Sequence, residues 1–80
     1  MKVQAYGKLA DFLGRERDVH IDVPCTVAEL RNHLAAECPE AAEPLAGRRV
    51  LACVGGSVVP DSHVLVGGES VELLAPVSGG

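Results

Sequence analysis

The sequence predicts a single α+β domain in which one long helix packs on a mixed β-sheet. Three observations predict it. Polar and apolar residues alternate in two runs near the N-terminus, a capped amphipathic helix follows, and apolar runs separated by glycine pairs complete the chain. The 80 residues allow one core and exclude a second domain, and an apolar content of 48% is typical of globular proteins. The predicted order is strand, strand, helix, strand, short strand, strand.

Two alternating runs predict the first pair of strands. The first spans Lys2–Tyr6 and the second Arg17–Val23, and a short connector joins them between Gly7 and Gly14. In the first strand, Val3 and Ala5 should face one way and Lys2, Gln4 and Tyr6 the other. In the second run the same alternation separates Val19, Ile21 and Val23 from Asp18, His20 and Asp22. We therefore expect the two strands to pair.

A helix is predicted from Thr26 to Cys38. Thr26, followed by Glu29 three residues later, matches a capping box, in which each residue satisfies a backbone N–H of the other. Pro39 cannot continue the helix, and Glu40–Gly47 is expected to form a compact loop with room for a short helical turn. The apolar residues of the helix form one stripe, which consists of Val27, Leu30, Leu34 and Cys38. We expect the helix to lay this stripe on one face of the sheet.

Three further apolar runs predict the remaining strands. Arg49–Val54 is almost continuously apolar, which favours the middle of the sheet. Gly55 and Gly56 supply the positive φ values of a tight hairpin turn into Ser57–Val59. Residues 63–66 then lead through a glycine turn into the last strand, which ends at Ala75. This order is that of the ubiquitin-like β-grasp fold (ββαββ), in which the first and last strands lie side by side at the centre of the sheet.

The last residues of the sequence emerge directly from the final strand. We expect a β-grasp domain over residues 1–75 and a flexible tail over residues 76–80, which carries the Gly80 carboxylate away from the domain. Glycine lacks a Cβ atom, so a tail that ends in Gly79 and Gly80 can enter a narrow cleft. The complete tail is Pro76, Val77, Ser78, Gly79 and Gly80.

The face of the sheet opposite the helix is predicted to be exposed. Alternation directs Val71 and Leu73 toward the helix and Leu74 away from it. Tyr6, Leu74 and Val58 should then be large apolar groups on a polar face near the start of the tail. Isolated apolar residues are ordinary on protein surfaces. Because these three are expected to cluster, we predict a partner-docking patch.

Composition narrows the classes of partner. The chain carries 11 acidic and 7 basic residues and has a net charge of −4, which argues against nucleic acid and favours a partner with a basic surface. One Phe, one Tyr and no Trp leave few platforms for stacking on bases. The N-terminus has no apolar signal region, and no apolar run is long enough to span a bilayer. We therefore expect a cytoplasmic protein that does not contact a membrane.

The titratable residues form no recognisable catalytic or metal-binding pattern. Cys25, Cys38 and Cys53 are odd in number and widely spaced, which suits neither a disulfide framework nor a metal or redox pair. We interpret them as small buried or half-buried apolar residues, and a reactive thiol stays open. The three histidines, His20, His33 and His63, are equally scattered. We expect no metal site and no catalysis by this chain alone.

The β-grasp order, the length and the ending Ala75 to Gly80 resemble the small subunit of molybdopterin synthase, a ubiquitin-like sulfur carrier. The segment Leu9 to Gly14 is similar to that family's first connector, although Ala10 and Asp11 stand where an Arg-Glu pair is usual. The resemblance implies that an ATP-dependent, E1-like enzyme adenylates Gly80 and that a sulfur donor converts it to a thiocarboxylate. The large synthase subunit then uses this sulfur to convert cyclic pyranopterin monophosphate in molybdenum cofactor biosynthesis. It implies no bound cofactor.

Other functions stay open at this point. The chain could carry sulfur for the thiamine pathway or a related one, because a C-terminal Gly-Gly is shared among such carriers. It could also be a protein modifier conjugated through Gly80, or an interaction module whose Gly-Gly has no chemical role. A plant-type ferredoxin is nearly excluded, because its cluster needs four cysteines and this chain has 3.

Overall fold

The computed structural model describes residues 1–46 and 50–74 and has the β-grasp architecture. The described strands are β1 (Lys2–Tyr6), β2 (Glu16–Asp18), β3 (Cys25–Thr26), β4 (Leu51–Val54), β5 (Ser57–Val59), β6 (Val64–Leu65) and β7 (Ser70–Leu74). The described helices are α1 (Lys8–Leu13), α2 (Val27–Glu37) and α3 (Ala42–Ala46), with a 3-10 turn at Pro39–Ala41. The predicted fold class is confirmed.

Five strands form one mixed sheet in the order β2-β1-β7-β4-β5. β1 and β7 run parallel and the other neighbours are antiparallel. The predicted adjacency of the first and last strands is therefore confirmed, with β7 at the centre. Helix α2 supplies the predicted stripe, and Val27, Leu30 and Leu34 are fully buried. They share one core with the inner residues of the sheet, which include Val3, Ala5, Val71, Leu73 and Ala52.

The start of α2 matches the predicted capping box. The hydroxyl of Thr26 accepts a hydrogen bond from the Glu29 backbone N–H at 3.1 Å, and the Glu29 carboxylate accepts one from the Thr26 backbone N–H at 2.9 Å. At the other end, Cys38 is half-buried and its thiol donates to the Phe12 carbonyl at 3.3 Å. The capping box thus satisfies two backbone N–H groups, those of Thr26 and Glu29, that would otherwise have no partner at the start of the helix.

The second strand is shorter than predicted, so the prediction of a strand over Arg17–Val23 is wrong beyond Asp18. The amide of Val19 donates to the Met1 carbonyl at 2.8 Å, and the Met1 ammonium donates to the Val19 carbonyl at 3.0 Å. After this reciprocal pair the chain has passed the end of β1 and has no strand to bond. Val23 is accordingly 45% exposed instead of lying on the buried side with Val19.

A second sheet of two short strands was not predicted. β3 pairs antiparallel with β6, and this pairing buries Cys25 beside Leu65. Two-residue strands are too short for alternation to reveal them. The following turn is held by Glu69, whose carboxylate accepts hydrogen bonds from the backbone N–H groups of Val66 and Gly67, each at 2.8 Å. These bonds, that of Val66 above all, lower the pKa of Glu69 and position the start of β7.

The connection from α2 to β4 contains the predicted helical turn, and it has two such elements instead of one. The expected loop contains the 3-10 turn and α3, and these elements bury Ala41 and Leu45 in the core. Strand β4 begins at Leu51, and the predicted start at Arg49 lies outside the described residues. The hairpin between β4 and β5 is as predicted, since Gly55 and Gly56 have φ values of 60° and 81°.

Candidate protein-docking surface

The sheet register aligns three large apolar side chains at the end where β7 finishes. Leu74 lies opposite Tyr6 of β1 on one side and opposite Leu51 of β4 on the other. All three belong to the outer face, which is the face of the sheet directed away from α2. Tyr6 is 44% exposed and Leu51 43% exposed, and Leu74 is half-buried between them. The described chain ends here, immediately before Ala75.

Val58 lies on the same face, in the next row of the sheet and one strand further out. That row runs from Val58 through Cys53 to Glu72 and Gln4. Val58 is 62% exposed, because β5 is the last strand of the sheet. The structure thus brings Tyr6, Val58 and Leu74 to one face, together with Leu51. We use the term docking surface for these four residues.

Leu51 and Cys53 were not assigned to this face from the sequence. The run that contains them is apolar at almost every position, so no alternation distinguished its two sides. The pairing of Leu51 with Leu74 places Leu51 on the outer face. This pairing can be known only from the register between β4 and β7. Cys53 is only 7% exposed although it faces outward, because it lies between Glu72 and Val58.

Polar groups surround the apolar residues. The Tyr6 hydroxyl donates to Glu72 Oε2 at 3.2 Å. Desolvation raises the pKa of Tyr6, and the Glu72 carboxylate raises it further because it disfavours a phenolate beside it. Toward the opposite end of β1, Lys2 pairs with Glu16 at 3.7 Å. The outer face is therefore apolar near the end of β7 and charged away from it.

Arg31 of α2 holds the beginning of β4 in place from the inner side. Its Nη2 donates to the Val50 carbonyl at 2.6 Å and its Nη1 to the Leu45 carbonyl at 3.3 Å. Its Nε lies 3.0 Å from Asp61 Oδ1, so the two side chains form an ion pair. The Nε–H group does not point at an acceptor and makes no hydrogen bond within the described residues. Because Leu51 directly follows Val50, this single side chain also anchors one member of the docking surface.

The three cysteines are free thiols, and the interpretation as buried or half-buried residues is confirmed. Burial raises the pKa of Cys25, and the nearby carboxylates of Glu29 and Glu69 add to the effect, so its thiol stays protonated at neutral pH. Among residues 1–46 and 50–74, no group of three or more His, Cys, Asp or Glu side chains is placed to hold a metal ion. No described helix has both the length and the apolar character needed to cross a bilayer.

The predicted reactive group lies outside the described residues. These begin again at residue 50 and end at Leu74, so the predicted domain limit at residue 75 and the whole tail fall beyond them. The tail residues concerned are Pro76, Val77, Ser78, Gly79 and Gly80. Of the region around the tail, the described residues include strand β7, which leads to it, and the surface beside that strand.

A known protein with a similar sequence matches the full length of this chain. A curated relative, the molybdopterin synthase sulfur carrier subunit of Escherichia coli (strain K12), is 33% identical over 81 residues, which cover 100% of this chain and 99% of the relative. The family model of the ThiS family matches residues 3–80.

Solved structures agree on the fold. SAMP1 from Haloferax volcanii superimposes with a TM-score of 0.85 at 22% identity and covers 99% of this chain and 97% of its own. A putative molybdopterin converting factor, subunit 1, from Pyrococcus furiosus gives a TM-score of 0.82 at 20% identity, with 95% of each chain covered. At these identities the two structures support the ubiquitin-like β-grasp fold alone. The family match and the full-length relative go further, and together they show that this chain belongs to the ThiS family.

Proposed function

We propose that this chain is the sulfur-carrier subunit of a molybdopterin synthase. One observation carries the proposal: the 33% identity to a molybdopterin synthase sulfur carrier subunit extends over the whole of this chain. The family match also runs to Gly80, the residue that would bear the sulfur. The docking surface at the end of β7 supports the same function, because a partner that receives the tail would meet this surface first.

The chemistry of the proposed cycle depends on the C-terminal carboxylate. A carboxylate is a poor electrophile, so an ATP-dependent, E1-like enzyme would first convert Gly80 to an acyl adenylate with release of pyrophosphate. Hydrosulfide released from a sulfur donor then attacks the carbonyl carbon, and AMP leaves. The resulting thiocarboxylate is a soft nucleophile on a movable carrier, and the absence of side chains at Gly79 and Gly80 lets it enter both enzymes.

In this proposal the chain supplies recognition and the sulfur, and its partners supply catalysis. The large synthase subunit would bind the docking surface and receive residues 76–80, and cyclic pyranopterin monophosphate would be the sulfur acceptor. Three side chains of the docking surface, Tyr6, Leu51 and Val58, are each more than two-fifths exposed, as contact with a partner requires. The chain itself binds no cofactor, and ATP is consumed by the activating enzyme.

Intact-mass spectrometry tests the central step. Coexpression of the full chain with its adenylating enzyme and a sulfur donor should yield a product heavier by one sulfur-for-oxygen exchange. A variant lacking Gly80 should keep the thermal unfolding of the parent and gain no mass. Absence of the mass change in the parent, under conditions that thiocarboxylate a known carrier, would exclude the sulfur-carrier function.

The docking surface is tested by Leu74→Asp. A buried carboxylate in an apolar contact is costly, so this variant should lose measurable binding to the large subunit in calorimetry. Val64→Asp is the matched control, because Val64 is 52% exposed and lies on the small β3–β6 sheet. It should bind as the parent does. Equal affinity of parent and Leu74→Asp would show that the partner binds elsewhere.

The pathway requires a separate assay. The thiocarboxylated chain and the large subunit should together convert cyclic pyranopterin monophosphate to molybdopterin. If the thiocarboxylate forms but this conversion fails, a carrier for thiamine or a related product is favoured. A ladder of conjugates in cell lysate that depends on Gly80 would instead favour a protein modifier.

A further inference from the structure

The two edges of the main sheet differ in their chemistry. Edge strand β2 consists of Glu16, Arg17 and Asp18, and two of these are ion-paired, Glu16 with Lys2 and Asp18 with the Met1 ammonium at 3.5 Å. Edge strand β5 consists of Ser57, Val58 and Val59 and carries no charge. Charged side chains at a sheet edge oppose the addition of another strand, because pairing would desolvate them. β5 lacks this protection.

Hairpin geometry determines which backbone groups of β5 point outward. A two-residue turn makes the flanking pair, Val54 and Ser57, a hydrogen-bonded pair, and such pairs alternate with non-hydrogen-bonded ones. Cys53 and Val58 are therefore a non-hydrogen-bonded pair. The N–H and the C=O of Val58 point away from β4, and the described part of the chain contains no strand beyond β5. One residue thus offers both a donor and an acceptor to an added strand.

The space beside this edge also suits an added strand. On the inner side, a groove between β5 and α2 is lined on the helix by Ala28, Asn32 and Ala35 together with Arg31, and on the sheet by Val59. Side chains alternate along a strand, so the neighbours of the residue opposite Val58 would enter this groove. The residue opposite Val58 itself would lie on the outer face beside the exposed Val58 side chain.

We propose that the edge of β5 binds an extended segment of the partner protein that receives the tail. This segment pairs with the backbone N–H and C=O of Val58. The residue opposite Val58 is β-branched or aromatic, because such residues give favourable cross-strand pairs with valine. This inference rests on the proposed function, since Val58 belongs to the docking surface. A partner seated on Tyr6, Leu51 and Leu74 reaches the edge without a second binding event. A second copy of this chain is disfavoured, because three residues of paired edge bury far less than the roughly 1,000 Å² expected of a stable interface.

Two substitutions at one position test the proposal. Val58→Pro removes the outward N–H without removing a bond to β4, as edge positions allow. Val58→Ala keeps the N–H and removes most of the side chain, so it is the matched control. Because two backbone hydrogen bonds to the partner depend on this residue's geometry, we expect Val58→Pro to bind the large subunit about tenfold more weakly than Val58→Ala.

Amide hydrogen exchange of the parent chain supplies a second readout that does not depend on the proline variant folding. The Val58 amide should exchange rapidly in the free chain and become protected in the complex. Equal affinities of the two Val58 variants, or a Val58 amide that stays unprotected in the complex, would overturn strand addition. Leu74→Asp distinguishes this failure from that of the proposed function. If Leu74→Asp abolishes binding while the two Val58 variants bind alike, the docking surface is supported and strand addition is excluded. If the Leu74→Asp variant binds normally, the docking surface itself is excluded.

Discussion

The two faces of the central sheet are made by the same strands and serve opposite purposes. On the inner face, Val71 and Leu73 of β7 are completely buried against α2. On the outer face, the alternating residues of that strand are Glu72 and Leu74, which stay partly exposed. Burial of apolar surface contributes about 25 cal/mol per Å², so the inner residues hold the fold together. The outer residues contribute little to stability and can be selected for binding.

The sharpest test of this difference compares two leucines on neighbouring strands. Leu73→Ala on the inner face should lower the free energy of unfolding by about 2–5 kcal/mol, because it leaves a cavity beside α2. Leu51→Ala on the outer face removes the same atoms and should cost less than about 1 kcal/mol. Chemical denaturation measures both. Similar losses in the two variants would mean that the outer face is structural.

Arg31 binds the carbonyl of Val50, directly before the outer-face residue Leu51, so its removal should affect both stability and binding. Arg31→Met leaves the buried carbonyls of Leu45 and Val50 without their donor and should cost about 2–3 kcal/mol. Since Val50 precedes Leu51, binding to the large subunit should also weaken. Denaturation and calorimetry on the same variant measure the two effects. A stable variant with full affinity would show that the strand holds its place without Arg31.

Removal of the capping box should lower the stability of the fold without changing the outer face. Thr26→Ala removes the acceptor for the Glu29 amide and should cost about 1 kcal/mol. The binding affinity should be unchanged when measured well below the unfolding temperature. If affinity falls with Thr26→Ala as it does with Arg31→Met, binding reports overall stability and not the position of Leu51.

The smallest expected effect concerns the polar margin of the outer face. The sequence has 1 Tyr and no Trp, so alkaline absorbance titration reports Tyr6 alone. The Glu72 carboxylate disfavours the phenolate, and Glu72→Gln should therefore move the pKa of Tyr6 down toward its ordinary value. Desolvation is the larger cause of the raised pKa and is retained, so part of the shift should persist. No change on substitution would mean that desolvation accounts for the whole shift.

Strong local signals in the sequence gave correct predictions. Thr26 and Glu29 predicted the helix start, Gly55 and Gly56 the hairpin, and the order of elements the fold. The prediction of the second strand failed where the alternating pattern continued beyond the residues with which β1 can pair. Residues 19–23 alternate as a strand would, but the strand ends where β1 ends, and only the pairing of Met1 with Val19 reveals this.

The docking surface was only partly predictable for a related reason. Tyr6 and Leu74 occur in clearly alternating strands, so their direction could be predicted. Leu51 and Cys53 occur in a run that is apolar on both faces, so their direction could not. The contrast between the charged β2 edge and the uncharged β5 edge was likewise hidden, because edge positions depend on the order of the strands.

The sequence by itself determined the main strands, the capped helix and the ubiquitin-like β-grasp class, and its Gly79-Gly80 pair resembles the ending of sulfur carriers. These follow from spacing, capping and turn chemistry, which act within a few residues of chain. Only the tertiary structure decided that Leu51 and Cys53 share a face with Leu74, how far β2 extends and which sheet edge is unprotected. These depend on the register between strands that are distant in sequence, and register is set by packing of the whole core.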